Sequence, residues 1–138
     1  MTDAGGRTFT VEQANRTLPL VRRIVRDIVD GHRAWASAVR AYESAAAWAR
    51  ADSPADELGM LEADVRRIAG EIDAYLRELR ELGVDFKGFD LGLVDFPGEL
   101  DGRPVCLCWK LDEDEVLYWH ETDAGYAGRQ PLAPTASP

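Results

Sequence analysis

Between Pro19 and about Ala51 the apolar residues fall at alternating steps of three and four: Val21, Ile24, Ile28, Gly31, Trp35, Ala38, Tyr42, Ala45 and Ala49. That seven-residue repeat is the spacing of a helix packed lengthwise on another. A second series repeats it: Leu61, Val65, Ile68, Ile72, Tyr75, Leu79 and Leu82. Two long helices are therefore predicted. The short stretch DSPADE between them makes the pair an antiparallel hairpin. Gly31, Ala38, Ala45 and Ala49 are small enough to let the partner backbone come close. A further stripe, Val25, Val29, Ala36 and Val39, runs beside the first on helix one. A helix with two stripes has more apolar surface than one neighbour covers, which predicts self-association through the hairpin.

Local signals set the ends. Thr10 followed three residues later by Gln13 is a capping box, so helix begins at about Val11. Pro19 removes an N–H and predicts a kink or break there. Ser53 reads as the second N-cap, Pro54 as the first helical position, and Asp56 and Glu57 as acids at the positive end of the dipole. Gly83 reads as the stop. Met1–Arg7 is small and polar, and is expected to fray.

After Gly83 the period changes. FDLGLVDF (Phe89–Phe96), RPVCLCWKL (Arg103–Leu111) and EVLYWHE (Glu115–Glu121) are rich in β-branched and aromatic residues, with PGELDG and DED between them as turns. The expectation is an α+β fold: a long antiparallel α-helical hairpin (about 11–82) with a small three-stranded antiparallel β-meander (about 89–121). A single domain is expected over residues 1–132, with a proline-rich disordered tail at 133–138. A length of 138 residues with 46% hydrophobic content suits one core of this kind.

If DED is the whole loop between the last two strands, Leu111 faces Glu115, Trp109 faces Leu117 and Leu107 faces Trp119. These form an apolar face turned to the helices. The other face pairs Cys106 with His120 and Cys108 with Tyr118. With a six-residue PGELDG loop, Asp95 joins that side. Thiolate, imidazole and carboxylate are zinc ligands. The Cys-x-Cys step nonetheless lacks the spacing of a strong metal motif, so Cys106, Cys108 and His120 are weak metal candidates. Reduced, metal-free thiols are expected, with no cofactor.

The stretch WHETDAGYAGR groups His120, Glu121, Asp123 and Arg129 around two glycines. An imidazole beside carboxylates can serve as a base, and a planar guanidinium can hold a small anion. His120, Arg129, Asp95, Glu121 and Asp123 are the ligand-site candidates, with a small anionic ligand as the expected guest. The competing reading makes Arg129 a clamp on Asp123 or Glu121. His32 is expected to be solvated or hydrogen-bonded, and Trp35, Tyr42 and Trp48 to be core or interface anchors.

The chain has 25 acidic and 16 basic residues, a formal net charge of -9. Such a surface repels nucleic acid and anionic membrane, and neither is expected as a partner. No run of roughly 18 apolar residues exists to span a bilayer. The N-terminus lacks the basic and apolar regions of a signal peptide. The two cysteines, one residue apart, make no disulfide framework, which points to the reducing cytoplasm.

FTVEQANRTLPLV, GLVDFP, VCLCW and YWHETDAGYAGRQPL together resemble a bacterial family, the domain of unknown function numbered 2203, over Phe9–Leu132. That resemblance implies a bacterial source and carries no activity, substrate or cofactor with it. The functional expectation is a cytosolic homo-oligomeric binding or scaffolding module. The alternative is a small enzyme or metal-dependent protein using the His120/Arg129 region.

Overall fold

A computed structural model describes residues 7–54 and 56–132 of the chain. The expected disordered tail at 133–138, and all of the fraying segment except Arg7, lie outside those residues. Arg7 itself is tied down: its Nη1 donates to the Leu82 carbonyl at 3.1 Å.

The architecture is α+β, two helices followed by an antiparallel sheet. Helix α1 spans Val11–Trp48 and α2 spans Glu57–Leu82. The capping box forms: Thr10 Oγ1 accepts from the Gln13 N–H and Gln13 Oε1 accepts from the Thr10 N–H. Pro19 neither kinks nor breaks the chain into two elements; α1 runs through it. One backbone hydrogen bond is forgone there. Ala14, Leu18, Val21, Ile24, Val25, Ile28 and Val29 are buried on either side of it, each contributing about 1.5–3 kcal/mol if apolar and large, and that outweighs the loss. The second helix starts later than expected. Asp56, not Ser53, is its N-cap, and Ser53 Oγ instead accepts from the Arg50 N–H within the loop. Gly83 ends α2 in the left-handed region as expected.

The sheet has five strands rather than three: β1 Asp85–Gly88, β2 Leu93–Leu100, β3 Arg103–Trp109, β4 Tyr118–Glu121 and β5 Gln130–Pro131, each paired with the next. PGELDG is not a loop. Strand β2 continues through Pro97 to Leu100, and the turn is Asp101–Gly102 alone, both at positive φ. The Asp-Gly pair is a hairpin signal that marks the turn. Pro97 is tolerated because β1 pairs only as far as Asp95; beyond it the Phe9 N–H donates to the Pro97 carbonyl at 2.7 Å, a contact that asks nothing of the missing proline N–H. The short β1 and β5 escape sequence reading because four and two residues carry too little alternation.

Between β3 and β4 the expected register holds: Cys106 opposes His120, Leu107 opposes Trp119 and Cys108 opposes Tyr118. The connection is longer than DED, however. Pairing stops at Cys108–Tyr118, so Trp109–Leu117 and Leu111–Glu115 do not form, and Leu117 is exposed. The excursion docks on α1 instead. The Val116 N–H donates to Asn15 Oδ1 at 2.7 Å, and Arg22 donates to the Asp114 carbonyl at 2.9 Å.

Val94, Phe96, Val105, Leu107 and Trp109 form the inner face of the sheet and pack with the first half of α1 and the end of α2. The coverage is unequal along the hairpin. At 38 residues α1 is about 57 Å long. The longest strand has eight residues, about 27 Å. Every buried residue of α1 therefore lies between Ala14 and Val29.

Gly92, in the turn before β2, lies tight against α1. Its φ is +61°, and a Cβ there would lie 2.8 Å from Leu111 Cβ and 2.9 Å from Val25 Cγ1. Gly92→Ala is expected to cost about 2–4 kcal/mol, a fall in melting temperature of roughly 10 °C. Gly70→Ala on α2, where nothing lies within 4 Å, should raise stability by up to about 1 kcal/mol. Thermal denaturation of the pair checks both signs.

Candidate functional site

Alternation along β3 turns Val105, Leu107 and Trp109 to the helices and Cys106 and Cys108 to the opposite face. Two cross-strand rows lie on that outer face. One runs Asp85, Asp95, Cys108, Tyr118; the next runs Pro97, Cys106, His120. Asp95 thus shares a face with the cysteines although its loop is not six residues long. Replacing a six-residue loop by a two-residue turn shifts the register by an even number, which preserves the facing.

His120 and Asp95 are 2% and 4% exposed, the buried polar residues of the sheet. His120 Nε2 lies 3.0 Å from Asp95 Oδ1, so the side chains of β4 and β2 meet over the intervening β3. Cys106 sits beside that bridge: ligand atoms of Asp95, Cys106 and His120 all lie within 4.8 Å of one another. The second ring nitrogen, Nδ1, is 2.6 Å from the Glu121 carbonyl oxygen. A carbonyl only accepts, so Nδ1 carries a proton, and a single further proton lies between Nε2 and Asp95 in the neutral pair.

Arg129 is positioned by the turn after β4. Gly125 at φ +73° and the single 3-10 turn Tyr126–Gly128 bring the chain back over the sheet. The guanidinium does not meet Asp123 or Glu121. Its Nη1 and Nη2 donate to Glu113 at 2.7 and 2.9 Å, and Nη2 donates to the Cys108 carbonyl at 3.2 Å. Tyr118 and Tyr126 lie against the guanidinium, with centroids 4.0 and 4.9 Å away. Burial works against its charge, but the Glu113 hydrogen bonds more than offset this and its pKa is pushed up. Glu113, the middle of the DED turn, is the residue sequence reading passed over; nothing in a run of three acids marks which one an arginine will choose.

The five ligand-site candidates therefore divide. Asp95 and His120 form one buried pair. Arg129 belongs to Glu113 and reaches the carbonyl of Cys108, two residues along β3 from Cys106. Glu121 is paired with Arg103 on the surface, and Asp123 is exposed. Of the metal candidates, Cys106 and His120 come together and Cys108 lies beneath Arg129. On helix one, the half-buried His32 stacks on Phe89 at 4.2 Å and on Trp35 at 5.8 Å.

Arg129→Ala should destabilise the fold by about 2–3 kcal/mol, several degrees in melting temperature, because a charge-assisted pair is lost and Glu113 is left half-buried. Adding Glu113→Ala should cost clearly less than the sum of the single changes, a coupling that a double-mutant cycle reads.

Both thiols are pushed up to about 11. Burial is the main cause in each, reinforced at Cys106 by the nearby Asp95 carboxylate and opposed at Cys108 by Arg129. Unfolded thiols ionise near 9, so between about 9 and about 11 the unfolded chain binds fewer protons and stability falls as pH rises. A disulfide reagent should modify the folded protein slowly at pH 8 and faster once this window is passed.

Among the described residues no helix is long and apolar enough to cross a membrane. No curated protein and no solved structure matches the chain. A family model does, over residues 7–132, described as an uncharacterized conserved protein, DUF2203. From the capped start of α1 to the end of β5, the chain belongs to the DUF2203 family.

Proposed function

We propose that the protein is a self-associating module of the bacterial cytoplasm, with the outer half of its helical hairpin as the interface to a second copy. The observation that carries this reading is the missing third layer. Beyond Val29 no residue of α1 is buried, yet both apolar stripes continue: Trp35, Ala36, Ala38, Val39, Tyr42 and Ala45 are all half-buried. Leu61, Val65 and Ile68 on α2 are half-buried as well, and Trp48 and Met60 are 76% and 66% exposed. Two helices alone cannot cover two-sided apolar surface, whereas two hairpins packed together make a four-helix bundle.

Charge favours a copy of the same chain as the occupant. Residues 31–50 carry Arg33, Arg40 and Arg50 against Glu43, while 56–73 carries six acids against Arg66 and Arg67. A two-fold pairing that sets α1 of one copy beside α2 of its partner brings opposite charges together. The two free thiols are in keeping with a reducing compartment. An anion site at Arg129 has less support, since its guanidinium is committed to Glu113.

Light scattering at micromolar concentration should give a mass at least twice the 15.3 kDa of one chain. Trp35→Glu with Val39→Glu should return it to one chain while circular dichroism keeps the helical content. A monomer across the whole concentration range would overturn the reading.

A further inference from the structure

We propose that Asp95, Cys106 and His120 form a binding site for a single zinc-class divalent cation, a site independent of the hairpin interface. The Cys-x-Cys step by itself lacks the spacing of a strong metal motif. The sheet register nevertheless gathers three donors of different chemistry. Asp95 on β2, Cys106 on β3 and His120 on β4 present one oxygen, one sulfur and one nitrogen within 4.8 Å of each other.

The geometry is close to a coordination shell. With bonds of about 2.0 Å to nitrogen and oxygen and about 2.3 Å to sulfur, tetrahedral ligands lie about 3.3–3.6 Å apart. The His120 Nε2 to Asp95 Oδ1 separation of 3.0 Å needs to open by only a few tenths of an ångström. The thiol reaches inward by turning about its own Cα–Cβ bond. His120 donates its Nδ1–H to the Glu121 carbonyl, the arrangement that orients metal-binding histidines, and turns Nε2 toward Asp95, where a cation would replace the proton they share.

Charge selects the guest. Thiolate and carboxylate carry two negative charges, and with a neutral imidazole they cancel a dication, so the loaded site is neutral where Asp95 and His120 are buried. Sulfur and imidazole favour zinc, cobalt or copper over magnesium or calcium. A buried histidine–carboxylate pair held only for structure gives a poorer account of the same atoms. Apolar residues of similar volume serve stability at least as well, and such a pair needs no thiol beside it. Cys106 is only half-buried, which leaves an approach from solvent.

Binding displaces to solvent the proton of the Cys106 thiol and the one between Asp95 Oδ1 and His120 Nε2, so affinity should rise with pH. Cobalt titration of the reduced full-length chain is the test. The expected result is one Co2+ per chain, with visible bands of tetrahedral intensity and a thiolate-to-cobalt charge-transfer band that zinc then bleaches. Cys106→Ser should abolish the charge-transfer band and weaken binding at least about 100-fold, more than loss of an outer-shell partner does. Cys108→Ser should leave both intact. Asp95→Asn, nearly isosteric, should keep the charge-transfer band while binding weakens, which separates ligand loss from misfolding. Absence of the charge-transfer band at excess cobalt, or its dependence on Cys108 in place of Cys106, would overturn the proposal.

Discussion

Burial of Val105, Leu107 and Trp109 beneath α1 holds the register of the whole sheet. A slip of one residue in β3 would carry all three into solvent and turn Cys106 and Cys108 into the core, a loss of several kcal/mol at about 25 cal/mol per Å2 of apolar area. Because β3 is central, its parity is passed to β2 on one side and β4 on the other. The same constraint that packs the inner face therefore fixes the outer one. Asp95, Cys106 and His120 meet because three apolar neighbours, alternating with Cys106 and Cys108, cannot move.

The long excursion between β3 and β4 shows how tolerant that parity is. Lys110–Leu117 leaves the ladder, yet the pairing of Cys106 with His120 is the one a three-residue turn gives, because residues on the two sides of the connection stay in the same count. What the excursion adds is anchorage. Trp109 Nε1 donates to the Glu113 carbonyl at 2.8 Å, and the carboxylate of the same residue receives Arg129. One acidic residue thus ties the β3 end, the turn and the segment before β5 together. Arg129 closes this knot from above, with tyrosines against its guanidinium and its Nε buried without a partner among the described residues.

The hairpin follows from a mismatch of lengths. A helix of 38 residues lies on a sheet whose longest strand has eight, so half of α1 has a second neighbour and half has only α2. In the covered half both stripes are buried, one against the sheet and one against α2. In the other half the same pattern meets solvent. Continued apolar periodicity without a covering layer leaves apolar side chains of that half only half-buried, while the polar cluster lies on the far side of the sheet.

Much of this was written locally in the sequence. Heptad spacing, the Thr10–Gln13 box and Gly83 set the hairpin at 11–82, because those signals act between residues a few positions apart. Alternation in VCLCW and YWHE set which residues share a face, because facing depends only on whether a count is odd or even, and the count across DED set Cys106 opposite His120. Tertiary structure decided the rest. Pro19 continues a helix because residues distant in sequence bury both its flanks. Two strands exist only because a neighbouring strand pairs with them. The choice of Glu113 for Arg129, and of Asp95 for His120 and Cys106, belongs to distances across the sheet, and no run of residues along the chain encodes a distance between strands.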